Sequence, residues 1–368
     1  MNRRPYLLGL AALIVIAGLA VYVATRTDPT SVGGKRSVAV ASDLPVLADS
    51  VPSIEGGKGW LDSAPLQASD LRGKVVLYDF WTYSCVNCVR TLPHLKALYD
   101  RYHPLGFEII GIHSPEFQFE KDHGNVQRAV GELDVTWPVL LDDDMTVWRS
   151  FGNRYWPAEY LADKAGQVRS AHFGEGDYSQ KEDEVRALLG VAASEPRADE
   201  RPVGATPTAQ QTPEIHFGTD FGAELFSATR PYAPGLATFT APSDQASNTF
   251  ALDGPWTIDG QSATASSASS RLTLRYQAGE VNIVLGLGAA PSGAGGDAVP
   301  VVVELDGEAV PSPSRPDGMS VDAEGRTVVA VGAHDLFRLV AGGPSGFHTL
   351  TLRPLASGVQ AYAVTFGT

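Results

Sequence analysis

Cysteine is nearly absent from this chain. There are two in 368 residues, and both fall within four positions, as Cys85 and Cys88. Two thiols build neither a disulfide scaffold nor a four-thiolate zinc site. Positive charge is also scarce. Lysine and arginine total 28 against 42 acidic residues, a net charge of −14. That balance weighs against a broad surface for phosphates, so no nucleic-acid partner is expected. No glycine-rich phosphate cradle is found, because residues 293–296 lack a following Lys-Ser/Thr and read as a hairpin loop. No nucleophilic serine elbow is found either. Disorder throughout is excluded by a 43% hydrophobic content, and the length suits two domains.

One long apolar run is present, at residues 6–24, preceded by Arg3 and Arg4. As a helix it is close to a bilayer core in length, and the basic flank favours an exported remainder. An uncleaved single-pass anchor is expected, with the rest of the chain extracytoplasmic at the cell membrane. A cleaved signal sequence, giving a secreted protein, is the competing reading. Either way a disulfide can persist.

The chain then divides. Residues 25–45 read as a tether. From 46 to 191, apolar runs alternate with amphipathic stretches. Strands are expected at 75–80, 107–113 and 139–141, and a hairpin at 159–163 and 168–173. Helices are expected at 85–102, 119–134, 145–151 and up to 189, the last capped by Asp177. This alternation implies an α/β domain. Residues 192–214 lack periodicity and read as a linker. The segment 215–368 carries strand-like runs at 271–276, 281–287, 299–305, 327–331, 348–352 and 360–366. Many short strands between Gly/Pro turns indicate an all-β jelly roll or sandwich.

The pair Cys85-Val86-Asn87-Cys88 carries the chemistry. Half a zinc site would need two more ligands. His94, His103, His113 and His123 lack helical ligand spacing and read as surface or capping residues. Haem attachment would place histidine where Val89 stands. A redox pair fits the context, since the motif follows a strand and opens a helix. A thiolate there is favoured by the helix dipole and free amides, and the second thiol lies one turn on. No metal or cofactor is expected.

The stretch Asp79-Phe80-Trp81-Thr82-Tyr83-Ser84-Cys85-Val86-Asn87-Cys88 resembles a thioredoxin active site. Asp79 lies six residues before the first cysteine and Pro93 eight after it. Pro157, within Asn153-Arg154-Tyr155-Trp156-Pro157, matches the family's cis-proline. Residues 66–76 resemble the membrane-tethered TlpA/ResA-like branch. Tyr83–Cys88 and His113-Ser114-Pro115-Glu116-Phe117 are similar to the extracytoplasmic part of mycobacterial DipZ proteins. That part joins a thioredoxin-like domain to a β-domain similar to carbohydrate-binding modules.

The resemblance implies a thiol–disulfide oxidoreductase. Cys85 would be the exposed nucleophile and Cys88 the buried resolving thiol. Asp79 would be a buried proton acceptor, unless it is a strand-end aspartate paired with a lysine. Pro157 would border the substrate groove, with Trp81, Ser84, Trp156 and Glu116 lining it. Partners would be exported thiol or disulfide proteins and, on a separate chain, a membrane electron donor of CcdA/DsbD type. Two other readings stand beside it. A redoxin-type peroxidase has Thr82 at its hydroxyl position but Tyr78 where its proline belongs. A glycan-binding envelope adaptor with a structural disulfide would use Trp256, Tyr232, Tyr276 and Tyr362 as platforms for cell-wall glycan, although such aromatics belong more often to a sandwich core.

Overall fold

The structure is a computed structural model, and it describes residues 44–198, 211–221, 224–227, 230–288 and 298–367. The apolar run at 6–24 and the loop at 293–296 lie outside the described residues. Among the described residues, no helix is long and apolar enough to cross a membrane.

The α/β domain is built around β2 (Val75–Trp81) and β3 (Phe107–His113), in which every residue is buried. Side chains alternate faces along a strand. Val75, Leu77 and Trp81 therefore enter one core, while Val76, Tyr78 and Phe80 enter the other. The sheet order is β1-β4-β3-β2-β5-β6, with β1 at Gly59–Leu61, β4 at Val139–Leu141, β5 at Ala158–Ala162 and β6 at Val168–Phe173. β2, β3 and β4 run parallel, and β5 and β6 run antiparallel to their neighbours.

Helix α1 (Val86–Tyr102) lays Cys88, Leu92, Leu95, Leu98 and Tyr102 on the first core. Each buried leucine there stabilises the fold by roughly 1.5–3 kcal/mol. The helix expected at 119–134 is instead a short 3-10 turn, Gln118–Lys121, followed by α2 (His123–Glu132). Asp122 makes the break, because its carboxylate caps the amides of Gly124 and Asn125. Helix α3 covers Thr146–Ser150 and α4 covers Tyr178–Leu189. Asp177 precedes α4 in a left-handed conformation and makes no side-chain cap. The segment after α4 is pinned to the domain. Arg186 donates to the carbonyls of Ala192, Glu195 and Pro196, and Ala198 is buried.

Among its described residues the β domain holds thirteen strands in one hydrogen-bonded array. The six expected runs are all strands, with small shifts at their ends. Strands β8 (Gly235–Phe239), β9 (Thr249–Ile258), β10 (Ala263–Ala265) and β17 (Asp335–Val340) escape the sequence pattern. β9 is the corner of the array. Its first half pairs with β11 (Arg271–Tyr276), and its second half pairs with β8 and β10. The switch falls at Gly254-Pro255, a dipeptide that reads as a turn. Gly254 has φ +79°, and a Cβ there would sit 2.8 Å from the Ser269 carbonyl oxygen. Both backbone and space therefore require glycine. The fold back encloses Leu272 and Leu274 of β11 with Ile283 of β12 (Glu280–Leu287) and Val364 of β19 (Val359–Gly367) in one core.

Gly254→Val should destabilise the β domain by about 3 kcal/mol or more, from a strained φ plus a clash with backbone. A urea unfolding curve with the wild-type midpoint would refute this account of the corner.

Candidate active site at the start of the first long helix

The site lies where β2 ends and α1 begins. Cys85 is the N-cap of α1, and its Sγ accepts the Cys88 amide at 3.3 Å. Both cysteines are free thiols; Cys85 is partly exposed and Cys88 is fully buried. Burial is the main force pushing the Cys88 thiol pKa well up, and the neighbouring Cys85 adds to it.

Asp79 lies on the same core-facing side of β2 as Trp81. Its carboxyl is buried, and Oδ1 has no hydrogen-bond partner among the described residues. Burial raises its pKa well above the carboxylate range, the Glu159 charge raises it further, and Lys181 opposes both. Asp79 and Glu159 are cross-strand neighbours on β2 and β5. Lys181 reaches in from α4 and bonds Glu159 Oε1 at 2.8 Å, with both side chains buried. The lysine that might have paired with Asp79 is thus held by Glu159.

The Trp156–Pro157 peptide is cis. Trp156 packs against Trp148 in a tilted pair, with centroids 4.1 Å apart, and donates its Nε1–H to the Ser114 carbonyl at 2.9 Å. Ser84, Cys85, Glu116 and Trp156 line one small cavity of about 60 Å³. Trp81 is absent from it and is 1% exposed. The expectation of Trp81 in the groove is corrected by strand alternation, which aims its indole into the core beside His113. The histidine expectation needs correction too. His94 and His113 are buried, and burial lowers their pKa values to about 4 and about 3, so both rings are neutral. Among the described residues no cluster of three or more His, Cys, Asp or Glu side chains could hold a metal ion.

The residue that sequence reasoning missed is Glu120. It is fully buried, and its carboxylate accepts four hydrogen bonds. Thr82 Oγ1 and Ser84 Oγ donate to Oε1, each at 2.5 Å. The amides of Glu116 and Phe117 donate to Oε2 at 2.6 and 2.9 Å. Burial pushes its pKa up to about 7, with the Glu116 charge adding, against the pull of its donors. Glu116, the candidate glutamate from sequence, lines the cavity and pairs with His216 Nε2 of the β domain at 2.8 Å. The available signal was an acidic residue after the alternation Phe117-Gln118-Phe119.

The segment around Glu120 is also where the β domain docks. Phe117 is 1% exposed, packed against Phe119, Phe221 and Tyr362. Phe119 stacks on His334. Arg90 of α1, just past the cysteines, bonds Glu280 of β12 at 2.6 Å, and Arg128 of α2 bonds Asp335 of β17 at 3.2 Å. Glu214, Val284, Ala363 and Thr365 of the β domain complete the cavity wall beside Cys85. The aromatics considered as glycan platforms are not available. Trp256, Tyr276 and Tyr362 are buried, and Tyr232 packs on the core with its hydroxyl on the Phe217 carbonyl.

Comparison with known proteins agrees with this architecture. The Redoxin family model matches residues 47–189, and the family described as "Thioredoxin like C-terminal domain" matches residues 212–367. The chain belongs to the thioredoxin-like thiol–disulfide oxidoreductases. It is similar to thiol-disulfide oxidoreductase YkuV of Bacillus subtilis, 30% identical over 149 residues, covering 40% of this chain and 99% of YkuV. It is also similar to ResA of Halalkalibacterium halodurans, 30% identical over 129 residues, covering 35% of this chain and 70% of ResA. Protein DipZ of Mycobacterium tuberculosis is 37% identical over 324 residues, 86% of this chain. The chain spans 42% of DipZ's length.

A carboxyl whose pKa rises from 4.5 to about 7 on folding contributes about 3 kcal/mol in its protonated form. That stability is fully present below pH ~4.5 and is lost as pH rises through ~7. Glu120→Gln should therefore flatten the decline in stability between those values. Parallel pH profiles of the unfolding midpoint for wild type and variant would contradict the assignment.

Proposed function

We propose that this chain exchanges disulfides with exported proteins through Cys85 and Cys88, as a membrane-tethered, extracytoplasmic oxidoreductase. The observation that carries the reading is a partly exposed thiol at a helix start, followed by a fully buried second thiol on which a buried carboxyl, Asp79, acts electrostatically. In the reducing direction the Cys85 thiolate attacks one sulfur of a client disulfide. The client S–S bond breaks, a mixed disulfide forms, and one client thiol leaves with a proton. Cys88 then gives its proton to Asp79 and attacks the Cys85 sulfur. The second client thiol leaves, and two electrons have passed from the dithiol to the client. Oxidation of a client dithiol runs the same steps backwards.

Asp79 suits the proton step because its neighbourhood is short of positive charge. Two buried carboxyls, Asp79 and Glu159, share one buried ammonium, that of Lys181. A shortage of positive charge in a poor solvent raises the proton affinity of a carboxyl, so an ionised Asp79 is a stronger base than a free carboxylate. Lys181 is committed to Glu159, which leaves Asp79 as the titrating partner of Cys88. Pro157, with its cis bond, and Trp156 would border the bound client, and Ser84 would form the rim before Cys85.

Tethering through residues 6–24 rests on the apolar run and its basic flank. The similarity to DipZ supports an extracytoplasmic or envelope location and exchange with thiol or disulfide substrates. The peroxidase reading gains nothing from Thr82, whose hydroxyl is engaged by the Glu120 carboxylate.

Cys88→Ser should trap a mixed disulfide through Cys85, visible as a mass adduct. Cys85→Ser should abolish insulin reduction, and activity surviving in it would end the proposal. Asp79→Asn should slow release from the mixed disulfide about 100-fold while leaving the first attack unchanged.

A further inference from the structure

Four of the ten residues lining the cavity beside Cys85 belong to the β domain. Glu214, Val284, Ala363 and Thr365 face Cys85 and Trp156 across a space of about 60 Å³. That space holds a few atoms of substrate, so the β domain meets whatever the nucleophile meets. Val284 and Ala363 are neighbours across β12 and β19 and give one apolar wall. The polar wall carries two carboxylates with different partners. Glu116 is paired with His216. Glu214 receives only the neutral hydroxyl of Thr365, at 2.6 Å among its hydrogen bonds. Among the described residues Glu214 has no hydrogen-bonded cation: His216, bonded to Glu116, acts on it only through space, so two carboxyls share one imidazole at this cavity.

We propose that Glu214 is a specificity-determining residue for the disulfide exchange. The class it selects is small or narrow disulfides carrying positive charge next to the sulfurs, in preference to carboxylated ones. A cationic group arriving with the disulfide would sit against the Glu214 carboxylate. An anionic disulfide would bring like charge up to Glu214, which lies at the exposed rim of the cavity, so both the attraction and the repulsion are screened by salt. The β domain would thus act on the reaction directly, by shaping and charging the approach to Cys85. This inference rests on the oxidoreductase reading above.

The test uses the reduced full chain and two disulfide probes. Cystamine is a dication and oxidised glutathione is a dianion. Single-turnover oxidation of the Cys85/Cys88 dithiol is followed by alkylation of the remaining thiols. The rate ratio of cystamine to oxidised glutathione should exceed that of free dithiothreitol with the same probes. Glu214→Gln should lower the ratio about three- to tenfold, with most of the change in the cystamine rate. The wild-type ratio should also fall as salt rises, a measurement that needs no variant. An unchanged ratio in Glu214→Gln, or a ratio indifferent to salt, would overturn the proposal. If neither probe oxidises the dithiol, the oxidoreductase reading itself fails, a separately recognisable outcome.

Discussion

The carboxylate of Glu120 is the point on which the site depends. It takes two hydroxyl donors from the loop before the cysteines and two amide donors from the segment that meets the β domain. One buried group therefore fixes the approach to Cys85 and the seat of Phe117 together. A buried carboxyl is costly unless its acceptors are filled, and here four donors fill them. Loss of that group would leave Thr82, Ser84 and two backbone amides short of a partner at once.

A second buried charge group belongs to the site. Asp79, Glu159 and Lys181 come from β2, β5 and α4, three elements that meet only after the sheet is complete. Two buried polar clusters therefore serve the redox pair: one fixes the backbone before Cys85, and the other supplies the carboxyl whose charge acts on Cys88. The hydrophobic layers around them, from Leu92 and Leu95 on one side and Phe80 and Ile112 on the other, keep water from both.

The sequence pattern made some of this legible. Cys85 and Cys88 are legible from a thiol pair at a strand-to-helix junction, whereas Asp79, Pro93 and Pro157 are reached through the resemblance to a thioredoxin active site. Glu120 lies 36 residues beyond Ser84, and only the return of the chain through β3 brings them together. Trp81 was misplaced because its neighbours in sequence are functional, whereas strand alternation sends its ring to the core. Glu214 and Thr365 belong to a different domain from the cysteines, and no pattern within one domain could connect them. β9 was hidden by Gly254-Pro255, which marks a corner inside a strand rather than an end.

β19 has a bearing on how the site comes into being. Its partners, β7 (Ile215–His216), β10 and β12, all precede it in the chain. Strand pairing of such long sequence separation closes late, because loop entropy is lost before contacts compensate. The redox domain, whose contacts lie upstream, has no need to wait. With that order of closure the Cys85–Cys88 pair would be assembled before the wall bearing Ala363 and Thr365. A nascent molecule would then be a broad-range reagent toward its surroundings, and completion of one strand would narrow it.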